Sequence, residues 1–294
     1  VTIQYLTGAH NAGVEGIAHD RNIGLLVQPG NRYDLQVHNY PVWAGDNGAF
    51  TTVKGGFSPE RFRTMLARPN LLAAHEGRLV EYVAEVEGRL ELETYAAPTV
   101  AAAHAFVAGC DAARVCHSPC LFVVAPDALI VGADGHVRGD AVATLERFDV
   151  WAPEIRAAGF PVALVAQNGL EQWLDYVWWD MVDVLFLGGG PDPALVTRAN
   201  RKGEWKLSEL ARECVVRAQL EGKPTHMGRV NSYKRMALAQ AWGVDTADGT
   251  FLAFGPKKNL PRLVKWLDKL NLTAPPALLP GVPANIHQNI QKAS

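Results

Sequence analysis

Short apolar runs alternate with amphipathic stretches along the chain, and this alternation predicts βα units around a parallel sheet. Strands are expected at 3–7, 23–27, 42–44, 121–125, 161–166, 182–187 and 225–227. Several of these runs are almost wholly apolar, as strands buried on both faces are. The helices between them announce their ends. Ser58-Pro59 supplies an N-cap and an N1 proline for a helix over 60–67. A helix over 145–158 follows Thr144 and is closed by Gly159; another over 208–220 ends near Gly222 and Pro224. Asn231 or Ser232 can cap 233–242, and 260–270 carries Leu263, Trp266 and Leu270 at helical spacing.

Four polar strings sit where an apolar run gives way to a turn. They are Gly45-Asp46-Asn47-Gly48-Ala49-Phe50, Ala125-Pro126-Asp127, Ala166-Gln167-Asn168-Gly169 and Asp245-Thr246-Ala247-Asp248-Gly249. Polar groups at the C-terminal ends of successive strands are how a (β/α)₈ TIM-like barrel builds an active site. Taken singly, each string has a plainer reading. Asp248-Gly249 and Asp46-Asn47 are turn dipeptides by composition, and Asp127 after Pro126 suits a turn or a helix cap. A carboxylate at 245 or 248 can equally be a metal ligand, a general base or a nucleophile. Small residues around Asp46 would let a planar ligand approach, with Phe50 stacking on it or packing in the core. Gln167 offers both a donor and an acceptor. Gly188-Gly189-Gly190 either presents backbone N–H groups or lets the chain turn, and no GxGxxG or Walker lysine is present.

Composition narrows the class. The chain has 294 residues, 48% of them hydrophobic and 20% charged, which suits one domain with a well-buried core. A barrel over 1–270 followed by a Pro-rich arm over 271–294 is the expected organisation. No apolar run approaches the roughly 18 residues that a membrane span needs, and the first residues lack a signal-peptide pattern. A cytoplasmic location without a membrane partner is therefore expected. Cys110, Cys116 and Cys120 crowd around His117, but their spacing does not match the paired ligands of a zinc site. They are read as reduced thiols, with no metal and no cofactor expected. Net charge is −2, yet residues 191–270 carry 15 Lys+Arg against 8 Asp+Glu. Arg201, Lys202, Lys206, Arg229, Lys234, Arg235, Lys257 and Lys258 in this segment form either solvated helix faces or a phosphate-facing surface.

Taken in order, the strings resemble those of the tRNA-guanine transglycosylase superfamily, and in particular its branch acting on DNA, the deazapurine-in-DNA (DNA-guanine) transglycosylases of phages and bacterial gene clusters. Asp46-Asn47-Gly48-Ala49-Phe50 resembles the family's Asp-Ser-Gly-Gly-aromatic string. Asp127 is similar to a second aspartate, Gln167-Asn168-Gly169 to a Gln-Gly-Gly turn, and Gly188-Gly189 to the Gly-Gly after the next strand. His226-Met227-Gly228-Arg229-Val230 resembles Leu-Met-Gly-Val-Gly, and Gly243-Val244-Asp245-Thr246-Ala247-Asp248 resembles Gly-Ile-Asp-Met-Phe-Asp. The resemblance spans about residues 43–270.

That resemblance implies roles. Asp248 would be the nucleophile on C1′ of a nucleotide and Asp46 the general acid/base. Asn47, Asp127, Gln167 and the Gly188-Gly189 turn would read the base edge, while Phe50 and Met227 would sandwich it. The implied partners are DNA and a 7-deazaguanine base such as preQ0, in the host cytoplasm if the chain is phage-encoded. Asn47 and Ala49 depart from the family's Ser and Gly. No cysteine follows Cys214, so the zinc motif of the tRNA enzymes is missing and tRNA becomes the less favoured partner. A nucleoside or sugar hydrolase, or a non-catalytic nucleic-acid-binding barrel, remains the alternative of a different class.

Overall fold

The computed structural model describes residues 3–8, 11–30, 33–49, 57–77, 117–131, 137–198 and 200–273. Eight parallel strands close into a barrel: β1 (Gln4–Thr7), β2 (Ile23–Val27), β3 (Trp43–Gly45), β4 (Cys120–Val124), β7 (Val162–Ala166), β8 (Val184–Leu187), β9 (Thr225–Met227) and β10 (Thr246–Gly249). Each pairs with the next in chain order, and β10 returns to β1 with Leu6 opposite Asp248. The protein is thus a (β/α)₈ barrel, as the alternation of runs predicts. Between β4 and β7 the chain adds an antiparallel hairpin, β5 (Leu129–Val131) and β6 (Val137–Gly139), which the sequence reading did not anticipate.

Two apolar layers follow from the two-residue period of the strands. Leu6, Leu26, Ala44, Phe122, Val124, Ala163, Val165 and Val184 point into the barrel and fill it. Alternate residues such as Leu25, Trp43, Leu164, Leu185, Met227 and Ala247 point outward against the helices. Each buried aliphatic or aromatic side chain contributes about 1.5–3 kcal/mol relative to exposure.

The helices meet the expectations with adjustments. Ser58 caps Pro59–Leu66 by accepting from the Arg61 N–H, Ser208 caps Glu209–Leu220, and Ser232 rather than Asn231 caps Tyr233–Ala241. The helix expected to follow Thr144 starts a turn earlier, over Ala141–Ala157, because the Asp140 carboxylate accepts from the Ala143 N–H. The last helix runs over Pro256–Thr273, so 271–273 belong to it and not to the arm; the rest of the arm lies outside the described residues. Among the described residues no helix is long and apolar enough to cross a membrane.

Candidate active site

A cavity of about 80 Å³ opens at the C-terminal ends of the barrel strands, lined by Leu26, Asp46, Asn47, Val124, Asp127, Val165, Gln167, Phe186, Gly188, Gly228, Arg229 and Asp248. The four polar strings, separated by up to 200 residues in sequence, meet here because parallel strands deliver their C-terminal ends to one face. Each residue has a local reason for its position. Asp46 is the first residue past β3, and its N–H still bonds the Val27 carbonyl at 2.7 Å. Asp248 is the third residue of β10, inward-facing, with its carbonyl accepting from the Val230 N–H at 2.5 Å.

The Asp127 carboxylate is enclosed by amides. Asn47 Nδ2 donates to Oδ1 at 3.0 Å and to the Ala125 carbonyl at 2.9 Å, and Gln167 Nε2 donates to Oδ2 at 2.5 Å. Asn47 Oδ1 in turn accepts from the Ala49 N–H, fixing the amide's orientation. Burial pushes the Asp127 carboxyl up while the Asn47 and Gln167 hydrogen bonds oppose that rise. The result is a rigid row of amide and carboxylate atoms facing the cavity, suited to a ligand edge carrying both donors and acceptors.

Asp46 is differently placed. Gln28 donates to its Oδ2 at 2.9 Å. Burial, then the negative charges of Asp248 and Asp127, raise its carboxyl to about 6. Such a group is partly protonated around pH 6 and can take up or release a proton there, which is what general acid–base work requires. Asp248 instead has donors on one oxygen. His226 Nε2 lies 2.9 Å from Oδ1 and the Arg229 N–H donates to the same atom at 3.3 Å. Two carboxylates thus share one cavity, one raised by burial and one with His226 and the Arg229 N–H on a single oxygen, a difference of environment of the kind that can separate an acid/base from a nucleophile.

Several expectations need correction. Met227 does not line the cavity; strand parity turns it outward into the layer beneath the helices, and its neighbour His226 faces inward instead. The apolar lining comes from Leu26, Val124, Val165 and Phe186, which the strand alternation could have revealed. Phe50 lies outside the described residues. Gly188 lines the cavity, whereas Gly189, at φ +47°, backs onto the Trp205 ring. Asp245 serves the opposite end of the barrel, accepting from the Thr225 N–H at 2.8 Å.

The basic segment divides in two. Arg201, Lys202, Lys234, Lys257 and Lys258 are exposed. Lys206 is not a surface cation: it is buried, its Nζ donates to the Gly228 carbonyl at 2.9 Å, and burial lowers it to about 7. Arg235 is engaged by Glu204 and by the Arg229 carbonyl, and Arg229 itself lines the cavity at φ +57°. Cys110 and Cys116 lie outside the described residues, while Cys120 and Cys214 are buried thiols that burial makes harder to ionise.

No family model matches the chain, and no curated protein matches it. Similar solved structures include a mandelate racemase/muconate lactonizing protein from Herpetosiphon aurantiacus, at 15% identity and TM-score 0.37 over 86% of this chain and 55% of that one. The chain therefore spans about half the length of that protein. Another is the Haloferax volcanii malate synthase lead(II) complex, at 13% identity and TM-score 0.37, over 100% of this chain and 79% of that one. Likenesses this distant carry no information on activity, and the barrel assignment stands on its own strand pairing.

Proposed function

We propose that the protein is a base-exchange transglycosylase that replaces guanine in DNA with a 7-deazaguanine such as preQ0. The observation that carries this reading is the convergence of Asp248, Asp46 and the amide-armed Asp127 on one cavity. Asp248 attacks C1′ of the target nucleotide, and the C1′–N9 electron pair leaves with guanine, which takes a proton from Asp46. The incoming base then attacks C1′ through its own nitrogen and returns a proton to Asp46, and Asp248 departs as carboxylate. Two displacements retain configuration at the sugar, and an anionic carboxylate stabilises the oxocarbenium-like centre of each. Asn47, Asp127, Gln167 and the Gly188 turn read the base edge, against the apolar wall of Val165 and Phe186.

The substrate side of the reading rests on topology. Arg201 and Lys202 follow β8, Lys234 opens the helix after β9, and Lys257 and Lys258 open the helix after β10. All five belong to connections leaving the C-terminal ends of strands, the end where the cavity lies, and can face phosphates of a strand whose target nucleotide has left the stack. The test is incubation with duplex DNA and labelled guanine or preQ0, followed by nucleoside mass analysis. Label is expected in DNA with the wild-type protein and absent with Asp248→Asn. Release of free base without incorporation would instead identify a hydrolase, and incorporation into tRNA alone would move the substrate to RNA.

A further inference from the structure

His226 is fully buried in the barrel interior, and both of its ring nitrogens are engaged. Nδ1 lies 2.7 Å from Thr246 Oγ1 and Nε2 lies 2.9 Å from Asp248 Oδ1. Strand register produces this arrangement. His226 and Thr246 are directly paired between β9 and β10, and Asp248 is the next inward residue along β10, within diagonal reach. The ring is clamped as well: it stacks on Phe186 at 4.6 Å and meets the edge of Phe122 at 5.0 Å. With the Arg229 N–H, Asp248 Oδ1 has two donors, while among the described residues no hydrogen bond is made to Oδ2.

We propose that His226, oriented by Thr246, is the positioning residue of Asp248, and that its Nε2–H and the Arg229 N–H form a two-donor cradle on Oδ1 that makes Asp248 a good leaving group. The inference rests on the reading of Asp248 as nucleophile and specifies which atom acts and how the covalent state is resolved. An ionised carboxylate only accepts hydrogen bonds, so Nε2 must carry the proton, and in the neutral ring Nδ1 then accepts from the Thr246 hydroxyl. Attack therefore occurs through Oδ2: the Oδ2–C1′ bond forms as the C1′–N9 bond breaks, its electron pair leaving with the base.

In the second displacement the incoming base nitrogen bonds C1′, its proton passes to Asp46, and the Oδ2–C1′ pair returns to the carboxylate. By resonance, half of that returning charge develops on Oδ1, where both donors already stand. Fixed donors aimed at developing charge need no reorganisation. They restrain the nucleophile somewhat in the first step and favour its departure in the second. An exchange enzyme needs this bias, because a covalent adduct too stable to break would end turnover.

The test follows adduct and exchange together in the full-length protein with a DNA oligonucleotide and preQ0. His226→Leu is expected to lower exchange about ten- to a hundredfold, the usual effect of losing a hydrogen bond to a charged group. It is also expected to raise the steady-state fraction of protein carrying the sugar adduct above wild type. His226→Gln, whose amide nitrogen can take the place of Nε2, should recover most of the exchange; Thr246→Val should show a smaller effect of the same sign. If His226→Leu does not fold, the Gln and Thr246→Val variants carry the comparison. Nitrogen NMR of the wild-type ring provides a readout independent of turnover, with Nε2 expected to be protonated and to shift on Asp248→Asn. Wild-type exchange and adduct levels in His226→Leu and Thr246→Val, or an unprotonated Nε2, would overturn the proposal. A wild-type protein that neither exchanges base nor forms adduct removes the nucleophile reading itself, and this inference with it.

Discussion

Gly139 offers a perturbation that reaches the Asn47–Asp127–Gln167 row without replacing any of its residues. It is buried in strand β6, and a methyl group placed on it would lie 1.9 Å from Gln167 Oε1, 2.0 Å from Cδ and 2.5 Å from Cγ. Three atoms of one side chain cannot all yield by small rotations, so Gln167 must leave. Its opposite flank is also closed: a Cβ at Gly188 would stand 3.2 Å from Gln167 Nε2, so backbone lies close on that side too. Gly139→Ala is therefore expected to break the Gln167–Asp127 hydrogen bond. With Gln167 displaced, its hydrogen bond to the base is lost, and such a bond contributes about 0.5–1.5 kcal/mol, so affinity for the incoming base should fall roughly two- to tenfold. Overpacking should cost a further 1–3 kcal/mol or so of stability. The assay is KM for preQ0 and the midpoint of thermal unfolding, with Gly30→Ala, whose added methyl meets open space, as control. The double variant Gly139→Ala with Gln167→Ala should regain stability over Gly139→Ala alone, since the methyl then has room. Wild-type KM and unfolding midpoint in Gly139→Ala would refute the wedged-amide reasoning.

Other predictions address the remaining parts of the site. Asp46→Asn should lower exchange about 10²–10⁴-fold. In the wild type, the Asp46 carboxyl, raised from its ordinary 3.8 to about 6, loses its proton as pH rises through about 6, and exchange should fall with it. Lys206 has a folded value of about 7 against 10.5 unfolded, so the unfolded chain binds more protons between those values and stability rises with pH there. Lys206→Met should remove that rise, worth about 2 kcal/mol between pH 7 and 9, as read from denaturant midpoints at the two pH values. Lys257→Ala with Lys258→Ala should weaken DNA binding and reduce the slope of log affinity against log salt by up to about 2, leaving base affinity unchanged. An unaltered slope would remove those two residues from the phosphate surface.

The barrel was legible wherever a strand was apolar. Residues 23–27 and 225–227 were read with their observed bounds because both faces of those strands are buried. β10 was missed because Thr246-Ala247-Asp248-Gly249 places its polar residues inward, toward the cavity, and so reads as a turn. The β5–β6 hairpin was missed for a related reason: Ile130 and Val131 are exposed at its edge, and short strands in a connection give no core pattern. Asp46, Asn47, Asp127, Gln167, Gly188 and Asp248 were found because strand ends concentrate polar residues in order along the chain. The apolar Met227 masks His226 in the sequence, because only the period of two along β9 identifies the histidine as the inward residue and Met227 as the one against the helices. Lys206 could not be told from surface lysines, because its burial depends on a carbonyl supplied 22 residues later.

The most direct measurement of the central claim is the mass of the intact protein after a denaturing quench during reaction with an oligonucleotide, followed by peptide mapping. The account predicts a protein–oligonucleotide adduct attached at Asp248 and absent from Asp248→Asn. Base exchange that proceeds with no adduct, or with the adduct on Asp46, would contradict it.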